Sequence, residues 1–222
     1  QQTPHKMKAL ENASRHFDKF DKITVNTLEA IYGQESSFGT NRGVRGIVGA
    51  AGDFQLERKT AIRYGLIVTP KNDQRFDVDN ASDASARYLK DLDRYFSKAT
   101  RLIGQIRTVP IDDSDERLKF VIASFNAGEG RIARAQDVAK KMGKNPEVWD
   151  DVRKYLSKAG ATAEKVKEIK DYVEKVQQYE KEFALKSKAD KSVKHKDPIK
   201  LKQSSEIGEW ITKDERPVFI GR

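Results

Sequence analysis

A chain of 222 residues with a net charge of +9, 35% charged residues and no cysteine has room for one good-sized domain and an appendage, and it excludes disulfides, thiolate zinc sites and a cysteine nucleophile. Mean hydropathy is −0.76, and no apolar run approaches the ~18–20 residues of a membrane span; FVIASF (120–125) suits a buried helix segment. Neither a signal peptide nor an N-terminal lipid-anchoring cysteine is expected from the chain as it stands, and its start at Gln1 rather than Met reads as a processed or trimmed product.

Helical periodicity runs through almost the whole chain, and no stretch alternates apolar and polar residues long enough to specify a strand. A first helix is expected over 5–19. A second runs from about Val25 to Phe38, with Thr24 or Asn26 as N-cap and Gly39 as its stop. GTNRGVRGIVGAAG (39–52) places five glycines in fourteen residues and reads as a loop. FQLERKTAIRYG (54–65) is a short helix, and the segment onward to Asp79, which contains Pro70, is irregular. DNASDASARYLKDLDRYFSKA (79–99) is amphipathic, with Ala84, Tyr88, Leu89, Leu92 and Phe96 on one side. SDERLKFVIASFNAG (114–128) and GRIARAQDVAKKMG (130–143) are further helices. Asn145-Pro146 reads as N-cap and first residue of a short helix to about Leu156, and a long helix spans about 161–186. The chain thus divides into an N-terminal helix (1–20) packing on the rest, a main helical domain (21–186) and a lysine-rich extension (187–222). From Lys181 to Lys202 eight lysines stand against Glu182, Asp190 and Asp197, a net +5 that holds more than half the excess charge. Such a stretch suits a solvated tail drawn to an anionic polymer. EIGEWITKDERPVFIGR, near the end, regains apolar residues that suit docking to a protein partner.

IYGQESSFGT (31–40) puts an acid where the pattern asks for an apolar residue. Leu28, Ile31 and Tyr32 lie seven, four and three residues before Glu35, so all share one helix face. Desolvation disfavours a charge there, and the negative end of the helix dipole disfavours an anion by about 0.3–1 kcal/mol more. Both effects raise a carboxyl pKa, and a glutamic acid held near pKa ~6 can donate a proton at neutral pH. The bland alternative is a glutamate at the stripe's edge that reaches solvent.

Four blocks bear on that choice: QESSF (34–38), GAAGDFQLERKTAIRYGL (49–66), SFNAGEGRI (124–132) and EIKDYVEKV (168–176). Together, in this order, they resemble the lysozyme-like lytic transglycosylases of glycoside hydrolase family 23: the E-S block, the G-A-x-G-L-M-Q…T-A block, A-Y-N-A-G-x-G-R-V and E-T-x-x-Y-V. The trailing Y-G-L is similar to the membrane-bound transglycosylase D type. The resemblance implies an all-α, lysozyme-like domain of the goose-type lysozyme and lytic transglycosylase kind, here with a basic C-terminal extension. It implies a periplasmic or otherwise exported enzyme, without metal or cofactor, acting on peptidoglycan. Such enzymes cut the β-1,4 bond between N-acetylmuramic acid and N-acetylglucosamine without water and leave 1,6-anhydromuramoyl ends. One glutamate protonates the leaving oxygen, then takes the proton of the muramoyl C6 hydroxyl as that attacks C1, with the substrate's N-acetyl group stabilising the intervening cation. The resemblance assigns that role to Glu35. Gln55 and Asn126 are expected to bind acetamido and hydroxyl groups. Phe54 and Phe125 would offer apolar faces to the rings, Ser36 would bond a substituent, and Glu168 and Tyr172, four apart on one helix face, would line the cleft. Gly49, Gly52, Gly128 and Gly130 would let backbone approach the sugar.

Three positions depart from the family pattern. Phe125 replaces the Tyr of Y-N-A-G, so another group or a water must orient Glu35. GDFQ stands where G-L-M-Q is usual, and Gly46 stands where a Ser is usual. Asp53 is a candidate second carboxylate, able to activate water as in an inverting glycosidase; a goose-type muramidase is therefore one alternative, and a solvent-facing or capping Asp the plain reading of that residue. A wall-binding protein without activity, or an assembly component of a secretion or phage machine docking through 187–222, are the others. Nucleic acid is not expected as a partner, because the basic stretch has only Phe183 for stacking. His5, His16 and His195 are scattered and match no metal-ligand spacing, and no G-x-S-x-G supports a serine triad.

Overall fold

A computed structural model describes residues 3–37, 42–194, 208–213 and 216–221. Among them are helices α1 (Pro4–Ala13), α2 (Val25–Ser36), α3 (Arg58–Arg63), α4 (Val78–Ser97), α5 (Ser114–Ala127), α6 (Glu129–Lys141), α7 (Trp149–Val152) and α8 (Ala163–Lys194), and strands β1 (Gly208–Lys213) and β2 (Arg216–Gly221). The chain forms two compact units, Gln1–Ala184 and Leu185–Arg222. The first is the all-α, lysozyme-like body expected of the four blocks.

Capping side chains set where the main helices begin. Thr24 accepts from Asn26 N at 3.2 Å while Thr27 Oγ1 accepts from Thr24 N at 3.0 Å, and this reciprocal pair starts α2. Asp77 caps α4 by accepting from Asn80 N at 3.0 Å. Asp113 caps α5 by accepting from Asp115 N and Glu116 N. The apolar side of α4 packs on α1 and α5, burying Leu89, Leu92 and Phe96 completely. Phe96 meets Phe120 at 5.8 Å between ring centroids, and Phe120 meets Trp149 edge-on at 5.5 Å. Tyr32 of α2 packs on Phe54 at 5.8 Å. Burial of this kind contributes ~1.5–3 kcal/mol per fully buried large apolar side chain.

Four sequence expectations are corrected. α2 ends at Ser36 and Ser37 takes the left-handed turn at φ 49°; the expected ends, Phe38 and Gly39, lie outside the described residues. Asn145 accepts from Glu147 N at 2.9 Å, a local turn rather than a helix cap, so α7 begins only at Trp149 and gives way to a 3₁₀ turn at Arg153–Tyr155. α8 continues to Lys194 instead of stopping near 186: the lysines and alanines there are good helix formers, and no Gly or Pro interrupts them. Finally, β1 and β2 pair antiparallel, with Trp210 opposite Phe219 and Ile211 opposite Val218. Their apolar residues come as short runs rather than strict alternation, which is why period-two reading missed them. No described helix is long and apolar enough to cross a membrane.

The glycine loop is organised by a buried cation. Arg75 is fully buried. Its Nη1 donates to Gly49 O (2.6 Å) and Leu56 O (3.0 Å), and its Nη2 to Ile47 O (2.9 Å) and Asp73 Oδ2 (2.8 Å). Asp73 in turn accepts from Gly46 N at 2.6 Å. Two glycines are required here. A Cβ on Gly52 would stand 1.9 Å from Arg75 O, and one on Gly46 would stand 2.6 Å from Pro70 N; both glycines have positive φ. The missing serine at Gly46 is thereby explained. Replacing Arg75 by Met would strand a buried Asp73 carboxylate and three carbonyls. The expected outcome is a loss of ~3–5 kcal/mol, read from urea unfolding, with the loss largest above the Asp73 pKa, which these bonds hold below its usual value despite burial.

Candidate active site

A cleft of about 430 Å³ gathers residues from five separate stretches of chain. Glu35 comes from the end of α2. Gln55, Leu56, Glu57 and Thr60 come from the loop and the start of α3. Tyr88 comes from α4, Phe125, Asn126, Gly128 and Arg131 come from the α5–α6 junction, and Lys165 and Glu168 from the start of α8. All four motif blocks thus contribute to one cavity.

Glu35 is half-buried, open to the cleft and enclosed on its protein side. Burial pushes its pKa up to about 8; the Tyr172 hydroxyl and Lys165 pull it down, and Glu168 raises it again. Tyr172 is buried beneath the cleft, and among the described residues its hydroxyl has no hydrogen bond of regular geometry. It nevertheless faces the Glu35 carboxyl closely enough to stabilise the anion, and its own pKa is driven well above the usual range chiefly by burial and then by that carboxyl. The group facing Glu35 in place of the family tyrosine at Phe125 is therefore Tyr172, approaching from α8. Phe125 lines the cleft and packs on Tyr88 at 5.5 Å.

The remaining site candidates separate cleanly. Gln55 lines the cleft with φ at 48°, a conformation uncommon for a residue with a side chain, and its Nε2 donates to Gly52 O at 2.9 Å. Asn126 Nδ2 donates to Glu168 Oε1 at 3.2 Å, while its Oδ1 is buried without a donor. Glu168 is exposed and also takes Lys165 Nζ at 3.1 Å. Ser36, Phe54 and Tyr172 do not line the cleft. Ser36 is buried and donates to Tyr32 O at 2.7 Å, as hydroxyls inside helices do. Phe54 is fully buried against Tyr32; alternation around the tight 52–55 turn sends it to the core and Gln55 to the cleft.

Asp53 is likewise corrected. Its side chain is 1% exposed and sits 2.8 Å from Arg42 Nε, with Arg42 Nη2 donating to Oδ2 at 3.2 Å. It borders a different cavity, with His5, Lys6, Phe76 and Asp79. Burial raises its pKa against the pull of Arg42. An acid tied down there is a fastening of the loop rather than a water activator facing Glu35. The sequence reading missed Glu57, Lys165 and Arg131 as cleft residues. Arg131 and Glu57 lay inside quoted blocks, and Lys165 sits three residues before one, but no signal singled any of them out.

Chemically, the cleft offers one protonated carboxyl at neutral pH, several amide groups and an aromatic wall, which fits proton transfer to a glycosidic oxygen. Comparison with known proteins bears on the family. The model of the Transglycosylase SLT domain family matches residues 14–148, a span that takes in three blocks and stops before EIKDYVEKV. The chain is similar to proteins named membrane-bound lytic murein transglycosylase F. That of Desulfosudis oleivorans is 31% identical over 133 residues, 58% of this chain and 24% of the relative. That of Shewanella loihica is 31% identical over 129 residues, 58% and 23%. That of Cronobacter sakazakii is 29% identical over 178 residues, 74% and 30%. The chain spans between a quarter and a third of these relatives' length, or slightly less.

Keeping Glu35 protonated has a stability signature. Its folded pKa of about 8 lies above the ordinary 4.5, so the unfolded chain loses this proton first and stability falls as pH rises between those values, by ~1.4 kcal/mol per unit. Glu35→Gln removes the effect. Its unfolding free energy should match the parent's below pH ~4.5 and exceed it by a few kcal/mol at pH 8; urea titrations at pH 4, 6 and 8 measure this, and equal stabilities at pH 8 would refute the raised pKa. From matched model, four converging blocks and a buried acid, the conclusion is that this chain belongs to the Transglycosylase SLT domain family.

Proposed function

We propose that the chain is a peptidoglycan lytic transglycosylase that cleaves the MurNAc-β-1,4-GlcNAc bond with formation of 1,6-anhydroMurNAc ends, Glu35 acting as single acid and base. The observation that carries this reading is the Glu35 carboxyl, held near pKa 8 at the wall of a sugar-sized cleft. Such a group is protonated when a strand binds at neutral pH, protonates the leaving oxygen, and as carboxylate then accepts the C6 hydroxyl proton. The bonds broken are C1–O4 and O6–H; the bonds formed are C1–O6 and O4–H; Glu35 gives its proton to O4 and regains one from O6, so no water is consumed.

The neighbours divide the remaining work. Asn126 Oδ1, buried without a donor, is matched to an N–H of an acetamido group, and Gln55 presents its amide from the opposite loop. Phe125 supplies the apolar surface against a ring. Tyr172 positions Glu35 from behind and stabilises its anion. The hydrolytic alternative rested on Asp53, and an acid paired with Arg42 outside the cleft is poorly suited to activating water. With peptidoglycan as substrate, the working compartment is the periplasm or another exported site facing the wall. Residues 187–222 lie beyond the family match and are proposed as a region for a protein partner.

Digestion of purified sacculi followed by mass analysis tests the reading: anhydro ends, lighter than reducing ends by one water, are expected, and reducing ends alone would sink it. Glu35→Gln should lower the rate by roughly 10²–10⁴-fold. The pH profile of kcat/KM should fall on the alkaline side around 8, where Glu35 loses its proton. Tyr172→Phe removes a group that lowers the Glu35 pKa, so that limb should move to higher pH; a shift to lower pH would contradict the positioning role.

A further inference from the structure

Among the described residues, five charged side chains line the cleft: Glu35, Glu57, Glu168, Lys165 and Arg131. Two of them satisfy each other, since Lys165 Nζ lies 3.1 Å from Glu168 Oε1. Glu35 is kept neutral by burial at neutral pH. Glu57 is exposed. Arg131 differs from all of these. It is half-buried and its Nε is shielded from solvent without a hydrogen-bond partner. No ion pair holds it either, among the described residues.

Its surroundings leave it unquenched. Glu129, the acid nearest in sequence, is drawn away: its Oε1 takes Arg63 Nη1 at 3.1 Å and its Oε2 accepts from Tyr88 at 2.7 Å. No side chain caps α6, whose first turn contains Arg131, so the local helix dipole adds positive charge rather than cancelling it. A guanidinium with five donors that is taken partly out of water without an acceptor is costly in the free protein. An anion arriving with the substrate removes that cost and gains a charge-assisted pair.

We propose that Arg131 forms an anion subsite in the cleft that takes a carboxylate carried on the muramoyl substituent of the glycan strand. Building on the transglycosylase reading above, it makes Arg131 a specificity residue: the N-acetylglucosamine unit has no carboxylate, and the muramoyl unit has one on its lactyl ether or at the end of the peptide attached there. Those are the two sources of one ligand chemistry.

The test compares Arg131→Gln and Arg131→Lys with the parent on three ligands: strands carrying peptide stems, strands stripped of them by an amidase, and a neutral oligomer of N-acetylglucosamine. Cleavage gives KM and kcat on the two strands. Calorimetry in a Glu35→Gln background gives affinity for all three. For Arg131→Gln we expect KM and dissociation constant to rise about tenfold on carboxylate-bearing strands, with affinity for the neutral oligomer unchanged. Arg131→Lys, which keeps the charge, should recover part of the loss. Loss confined to stripped strands assigns the lactyl carboxylate, and loss confined to stem-bearing strands assigns the peptide's. Equal weakening on the neutral oligomer, or no weakening on either strand, overturns the proposal. Should the parent form no anhydro ends at all, the transglycosylase reading falls while the calorimetric comparison still decides whether Arg131 binds the carboxylate.

Discussion

A guanidinium without access to water holds one wall of the cleft in place. Arg75 reaches two carbonyls of the glycine-rich loop and that of Leu56 just after it, and fastens them to Asp73. A loop with glycines at 43, 46, 49 and 52 has a large conformational entropy to lose, and its own apolar residues are too few to enforce one shape. Converging charge-assisted bonds supply that enforcement. The Arg42–Asp53 pair repeats the device at the loop's other side, where Arg42 also donates to Phe76 O. Between these two cations lies the turn that sets Gln55 in the cleft at a positive φ. The loop can therefore be built from flexible residues and still present one amide in one orientation.

The opposite wall obeys a different constraint. Glu35 must be reachable by substrate and yet poorly solvated, because desolvation is the chief cause that raises its pKa to about 8. The fold meets both demands by ending α2 at the cleft. The last turn brings the carboxyl to the opening, while Leu28, Ile31 and Tyr32 on the same helix are fully buried. Stability is sacrificed for this, since a deprotonated Glu35 would be more at home in water. The surrounding core of α4 and α5, with its aromatic chain from Phe96 through Phe120 to Trp149, carries the surplus that makes such a site tolerable.

How legible the sequence is depends on whether the signal is periodic or three-dimensional. Helical type and order follow from apolar spacing, and α2, α4, α5 and α6 lie within a few residues of where the pattern sets them. The misplaced features are those with no period. The hairpin at β1 and β2 consists of short apolar runs, and the end of α8 depends on what fails to stop it. Among site residues, Glu35, Gln55, Phe125, Asn126 and Glu168 line the cleft as the motif order suggests. Ser36, Phe54 and Asp53 do not, because a motif says which residues adjoin but not which way a tight turn sends each side chain. Arg131 shows the reverse failure: its position in the motif was visible, its lack of a partner was not, for absence of a partner is a property of packing alone.

Tyr172 explains how the chain manages with Phe125. α2 and α8 touch through two hydroxyl–carboxyl contacts. Thr27 of α2 donates to Glu180 of α8 at 2.7 Å, and Tyr172 of α8 faces Glu35 of α2. Thr27 and Glu35 are eight residues apart, as are Tyr172 and Glu180, about 12 Å on each helix at 1.5 Å per residue. Since the lower number on one helix meets the higher on the other, the helices run antiparallel along this seam. Each contributes one acid and one hydroxyl, and both acids are raised by burial, Glu180 to about 7. The Thr27 contact lies at the capped start of α2 and fixes the register of α8 against it. With that register, the Tyr172 hydroxyl faces the Glu35 carboxyl. A tyrosine on α5 is then not needed to orient the acid, and the phenylalanine at 125 is free to serve as wall.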